Sequence, residues 1–173
     1  MSPGIFPTAL LALIALGLGG VATASEGITA PLAPQSSARY QCGPTTLASV
    51  LAYHGTPVPE ATIASAIYSP TAHGVLLTDL AWYSRGLGFR TEIRTGTSAD
   101  LQKAIARGQP PIVLLDLGIA GIRQPHFTAV TGWSEADVRY LSTKAAGKRV
   151  SQQTFARQWQ LAGNQYLLIT PAS

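Results

Sequence analysis

The chain has 173 residues, 46% of them hydrophobic and 12% charged, with a net charge of +4. That is one domain's worth of sequence, apolar enough to fill a single core and too short for a multidomain assembly. The lone cysteine, Cys42, excludes an intrachain disulfide, and the positive charge is spread without the basic and aromatic stripe that nucleic acid requires.

In chain order, Ile5 to Val21 is almost entirely Leu, Ala, Ile and Gly and carries no charged side chain. It closes on Ala22-Thr23-Ala24, the small-x-small pattern that a signal peptidase reads. The run is shorter than a spanning helix, and no basic stop-transfer cluster follows it. Residues 1–24 are therefore expected to be a cleaved signal peptide, and the protein periplasmic or secreted. Contact with a membrane is expected only during export. Residues 25–37, rich in Pro, Ala and Ser, form an extended lead-in, and residues 38–173 the domain.

From Cys42 the pattern turns helical, with Leu47, Val50 and Leu51 on one face and His54-Gly55 as the stop. Pro59 to Ile67 and Leu76 to Arg85 predict two more helices, the second ended by glycines at 86 and 88. Phe89 to Arg94 alternates as a strand does. Ser98 is expected to cap a helix whose Leu101 and Ile105 face inward and which Gly108 ends. Pro111 to Leu117 is a continuous apolar run, the mark of a central strand. Further strands are predicted over Phe127 to Thr131, Val138 to Leu141 and Tyr166 to Ile169, with a helix over Ser151 to Trp159 before the last. Helices first and an antiparallel meander afterwards give an α+β architecture.

Three His and one Cys are widely spaced, with no pair at metal-ligand spacing, so no metal or other cofactor is expected. His54 reads as a cation suited to a helix C-terminus, and His73 as a loop residue. Trp82, Trp133 and Trp159 read as core, and Asp79 and Asp100 as solvated or capping charges.

The segment that carries chemistry is Tyr40-Gln41-Cys42-Gly43-Pro44-Thr45-Thr46-Leu47. A thiol at the first turn of a helix meets unpaired amide groups and the positive end of the dipole, which favour thiolate. Gly43 allows a close approach, and Pro44 is tolerated where its N–H is not needed. A base is required, and histidine is the usual partner.

Cys-Gly-Pro on a small and apolar helix, and His126-Phe127 at a strand about 84 residues later, resemble the bacteriocin-processing (double-glycine) peptidases, which are papain-like cysteine proteases. Leu51-Ala52-Tyr53-His54-Gly55 and the pair Phe155 and Trp159 carry the resemblance further. It covers roughly Pro34 to Pro171. It implies a papain-like fold with the N-terminal helices packed on an antiparallel sheet, and a peptide or protein substrate. It also implies Cys42 as nucleophile and His126 as the proton shuttle. The family's oxyanion donor is a Gln upstream of the Cys, which leaves Gln35 or Gln41. Its His-orienting Asp follows the strand after the His strand, where this chain reads Tyr140-Leu141-Ser142-Thr143-Lys144. Ser142 or Thr143 could accept the imidazole N–H there, and Asp116, near the end of the strand before His126, is a further orienter. Two readings follow: an exported cysteine peptidase, or a degenerate papain-like domain that binds a peptide or partner protein without cutting it.

Overall fold

The computed structural model describes residues 1, 27–28, 32–36, 41–71, 73–145 and 147–172. The expected signal peptide, apart from Met1, lies outside them. The described helices are α1 (Cys42–Tyr53), α2 (Glu60–Ile67), α3 (Leu77–Gly86), α4 (Ser98–Ala106) and α5 (Gln152–Leu161). The strands are β1 (Phe89–Thr95), β2 (Ile112–Asp116), β3 (Pro125–Trp133), β4 (Asp137–Tyr140), β5 (Lys148–Ser151) and β6 (Gln165–Pro171). They form one antiparallel sheet in the order β1-β6-β2-β3-β4-β5. This is the expected α+β arrangement.

Local chemistry sets the helix ends. In α3 and α4 an aspartate at the third position folds back on the start of the helix. Asp79 Oδ2 accepts the Leu76 N–H at 2.7 Å, and Asp100 Oδ2 accepts the Thr97 N–H at 2.8 Å. Both carboxylates thus cap, and Thr97, not the expected Ser98, is the N-cap of α4 because it is the residue Asp100 can reach. Helix α5 starts on Ser151, whose hydroxyl accepts the Thr154 N–H at 3.2 Å. Helix α1 stops at Gly55, whose φ of +83° is the left-handed conformation glycine adopts without strain.

The sheet has a core on each face, divided by strand alternation. Leu47, Val50, Leu51, Ile63 and Leu80 of α1, α2 and α3 pack against Ile112, Phe127, Ala129 and Leu167. On the other face Leu101, Ile105, Phe155 and Trp159 of α4 and α5 pack against Val113, Leu115, Val130 and Tyr140. Trp133 and Trp159 are core residues as expected. Trp82 is not: it stands 65% exposed on α3. Strand β5, which periodicity missed, is a four-residue edge strand with three charged or polar residues, paired with β4 and packed on the second core through Val150 alone.

The lead-in is part of this body. Leu32 is buried, Ile28 N–H donates to Thr131 O at 2.8 Å, and Ser49 Oγ donates to Ala33 O at 2.8 Å. Residues 28 and 32–36 therefore pack with the domain expected to begin at 38.

Phe155 is fully buried and its ring meets those of Trp133, Tyr140 and Trp159. Phe155→Ala is expected to lower the unfolding free energy by about 3–5 kcal/mol in urea titration. A loss under about 1 kcal/mol would show that this ring cluster does not organise the second face.

Candidate active site

Cys42 is the first residue of α1, half-buried against the first core and free of any disulfide. The first N–H groups of a helix have no partner within it, so the thiol and the Cys42 amide stand at the electropositive end. Behind them the chain has no room to spare. A methyl group at Gly43 would overlap the Val75 side chain and come within 3.4 Å of Phe127 Cδ2. Gly43 thus lets the start of α1 press on Val75 ahead of α3, while Phe127 of β3, the strand that carries His126, lies at ordinary contact distance.

A buried hydrogen-bonded knot holds this contact. Thr46 Oγ1 donates to the Phe127 carbonyl at 3.2 Å. The Gln35 amide Nε2 donates to the same carbonyl at 2.9 Å and to Thr46 Oγ1 at 2.7 Å. The Gln35 N–H in turn donates to Ser142 O at 2.9 Å. Lead-in, helix, His strand and the segment after β4 therefore meet within a few residues of Cys42 and His126.

His126 pairs with Leu115 in the β2–β3 ladder, and alternation turns it to the face opposite Phe127. The β3–β4 neighbours Val130 and Tyr140 continue through Leu141 N–H to Ala129 O at 3.0 Å and Thr128 Oγ1 to Leu141 O at 3.0 Å. Alternation thus sets Ser142 on the face of Thr128 and His126. Burial pushes the His126 pKa below the usual 6.5, and the positive charge of Lys148 adds to the shift. The ring is neutral at pH 7 and can accept a proton.

The other expected residues divide clearly. Both N–H groups of the Gln35 amide are used inside the knot, so Gln35 is a brace and has none left for an oxyanion. Gln41 is half-buried at the N-cap of α1, makes no capping hydrogen bond, and its Oε1 is buried without a hydrogen-bond partner. Ser142 is half-buried and turned into its own loop: Oγ accepts the Lys144 N–H at 3.1 Å and donates to Lys144 O at 3.4 Å. Thr143 is exposed. Asp116 departs from the orienter expectation. Its Oδ1 accepts the N–H groups of Gly118 and Gln124, each at 2.9 Å, and its Oδ2 pairs with Arg123 Nε at 3.1 Å. These bonds hold its pKa below the carboxylate norm. Asp116 also lies opposite Pro125, so it faces away from His126.

His54 differs from expectation too: burial against Tyr53 and Phe89 lowers its pKa and favours the neutral ring. Thr46 and Lys148 carried no sequence signal, because their roles come from contacts far along the chain. Among the described residues no three His, Cys, Asp or Glu side chains converge on a metal-sized site.

The sequence profile of the Peptidase_C39 like family matches residues 28–167. The chain belongs to this family. No curated protein matches it in sequence. Among solved structures, a C39-like peptidase from Bacillus anthracis shares the fold at TM-score 0.72 and 17% identity, over 85% of this chain and 98% of that one. The peptidase domain of Streptococcus ComA, a bifunctional ABC transporter, gives 0.65 and 23%, over 82% and 98%. The double glycine motif protease of an AMS/PCAT transporter, solved with its leader peptide, gives 0.65 and 17%, over 84% and 94%. The papain-like architecture expected from the resemblance is the fold of these C39 peptidase domains.

Two stability predictions follow from the site. Gln35→Leu leaves Thr46 as the one side-chain donor to the buried Phe127 carbonyl and is expected to cost about 1–3 kcal/mol in urea titration; a neutral outcome would show that the knot contributes nothing. For pH, His54 and His126 both titrate lower in the fold than the unfolded value of 6.5. The unfolded chain then binds more protons just below that pH, so stability falls with acidification. The urea midpoint should drop from pH 7 to pH 5, less steeply in His54→Gln; a midpoint constant over that range contradicts the assignment.

Proposed function

We propose that this protein is an exported cysteine peptidase of the double-glycine type, with Cys42 as nucleophile and His126 as general base and then acid. The observation that carries the reading is the chain's one thiol at the first residue of a helix braced against β3, the strand whose second residue is His126. In the proposed cycle neutral His126 takes the Cys42 proton as sulfur attacks the scissile carbonyl carbon. The C=O pair moves onto oxygen. The Cys42 backbone N–H and the Gln41 amide donate to that oxyanion, an interaction of a kind worth about 3 kcal/mol per donor. Protonated His126 then gives its proton to the leaving amine, and the C–N bond breaks to leave a thioester. Water, deprotonated by His126, attacks the thioester and regenerates the thiol.

The substrate is a peptide, a reading supported by the related protease solved with its leader peptide. Residues 1–24 act as the signal peptide, so the mature chain begins at Ser25 and works in the periplasm or outside. N-terminal sequencing of protein recovered from an exporting host is expected to start at Ser25; a start at Met1 would overturn this part.

Ser142 favours a second reading, a domain that binds peptides without turnover. By the resemblance it stands where the family carries its orienting Asp, and its hydroxyl, bonded to Lys144, offers no negative charge to an imidazolium. Cleavage of a peptide library decides between them. Activity lost in both Cys42→Ala and His126→Ala, and raised by about tenfold or more in Ser142→Asp, is the expected result. Peptide binding with no cleavage by either wild type or Ser142→Asp supports the second reading. The acid limb of kcat/KM should lie below 6.5 and move upward in Lys148→Met, since that cation lowers the His126 pKa. An acid limb that stays in place in this variant would remove Lys148 from the site.

A further inference from the structure

A cleft of about 690 Å³ opens at the far end of α1 from Cys42. Tyr53 and His54 line it from the end of α1, Arg107 and Gln109 from the end of α4, and Arg90 and Thr170 from β1 and β6. Arg90 and Thr170 are opposite each other in the β1–β6 ladder, so their side chains share one face of the sheet. Helix α1 has 12 residues, about 18 Å at roughly 1.5 Å per residue, and this length separates the cleft from the thiol. Strand β2 separates it from His126 in the same way. Gln109 precedes the start of β2, whereas His126 lies opposite Leu115 near its end. The walls are close-packed: a side chain at Gly108 would come within 3.3 Å of Tyr53 Oη.

The charge of this cleft is one-sided. Arg90 and Arg107 are exposed, and neither makes an ion pair among the described residues. No Asp or Glu among the described residues lines the cleft, and Glu92, two residues along β1, is paired with Arg94. Arg107 stands at the end of α4, where a cation suits the dipole. Arg90 has no such partner. The ends of α1 and α4 bring roughly half a negative charge each, less than the two guanidiniums carry. Their carbonyls are engaged as well. Gly108 and Gln109 N–H groups donate to Ile105 O and Ala104 O, and those of Gly55 and Thr56 to Ala52 O and Leu51 O, at 2.9–3.0 Å.

We propose that this cleft binds a phosphate group, held between the guanidiniums of Arg90 and Arg107. Two cations that share a cleft repel each other, and an anion between them replaces that repulsion with attraction. The planar forks favour phosphate over carboxylate. One guanidinium engages both oxygens of a carboxylate, whereas a phosphate has three terminal oxygens and accepts from two forks. The Gln109 amide and the Thr170 hydroxyl supply uncharged donors in the same cleft. Its volume is many times the roughly 30 Å³ of one water, which leaves room for an organic body attached to the phosphate. A soluble phosphate monoester and a lipid headgroup share this chemistry. The site stands apart from Cys42 and does not depend on the peptidase reading.

The test titrates the protein with glycerol phosphate by calorimetry at constant ionic strength. A second arm sediments it with phosphatidylcholine vesicles with and without phosphatidic acid. The expected result is saturable binding of glycerol phosphate that weakens about tenfold or more in Arg90→Met and in Arg107→Met. Arg157→Met, which removes an exposed and unpaired arginine of α5, is the control and should bind as wild type does. Binding of phosphatidic acid vesicles alone, lost in both cleft variants, upholds the site and assigns it to a lipid headgroup. Absence of binding to either probe overturns the proposal. So does an equal loss in Arg157→Met, which reduces the effect to net charge, or displacement by acetate as effective as by inorganic phosphate. Cys42→Ala should bind with unchanged affinity, so the result stands whether or not the protein cleaves peptides.

Discussion

One carbonyl organises the site. Phe127 O accepts from the Gln35 amide and the Thr46 hydroxyl in a buried setting, where losing a partner costs far more than the net worth of a bond. Gln35 belongs to the lead-in, Thr46 is four residues along α1 from Cys42, and Phe127 follows His126. Three separate stretches of chain are thus pinned together close to Cys42 and His126. Gly43 completes the constraint from the other side, because a side chain there would overlap Val75 and displace the start of the helix. A thiol on a loop would have no such fixed relation to the strand that carries His126.

The electrostatics fit a site with no orienting carboxylate. Burial and Lys148 both disfavour the charged ring, so His126 rests neutral. A neutral base needs no counter-charge at rest. In the proposed mechanism the demand arises once the imidazole has taken the thiol proton, and Ser142, where the resemblance puts the orienter, has only a hydroxyl already engaged with Lys144. The one well-placed carboxylate nearby, Asp116, serves a different end: it pins the hairpin before His126 and faces away from the ring. Family membership fixes the fold and the kind of site, while the tempo of the chemistry depends on how an uncharged third residue is tolerated.

Periodicity made the helices and the central strands legible, since Leu47, Val50 and Leu51 or the run from Pro111 announce their buried faces locally. The expectation for Cys42 and His126 rested on a motif. The rest was set by long-range contacts. Gln35 was a candidate oxyanion donor because it is a Gln upstream of the cysteine, whereas its bonds to Thr46 and Phe127 are not visible in sequence. Strand β5 escaped because Lys148 to Ser151 offers one apolar residue, Val150, too few for a periodic signal, and its pairing with β4 is long-range. Trp82 looked like core by residue type alone, yet it lies on the outer side of α3. The lead-in looked separate for its composition, although Leu32, Ala33 and Gln35 are fastened to the domain.

Coupling between Cys42 and His126 is the claim on which everything functional depends, and the alkylation rate of the thiol reads it directly. With iodoacetamide at pH 6.5, Cys42 in the wild-type protein is predicted to react about tenfold or more faster than a free cysteine, whose ordinary pKa near 8.5 leaves it mostly protonated. That advantage should vanish in His126→Ala with the fold intact. A wild-type rate equal to that of free cysteine, and unchanged by His126→Ala, would contradict the account.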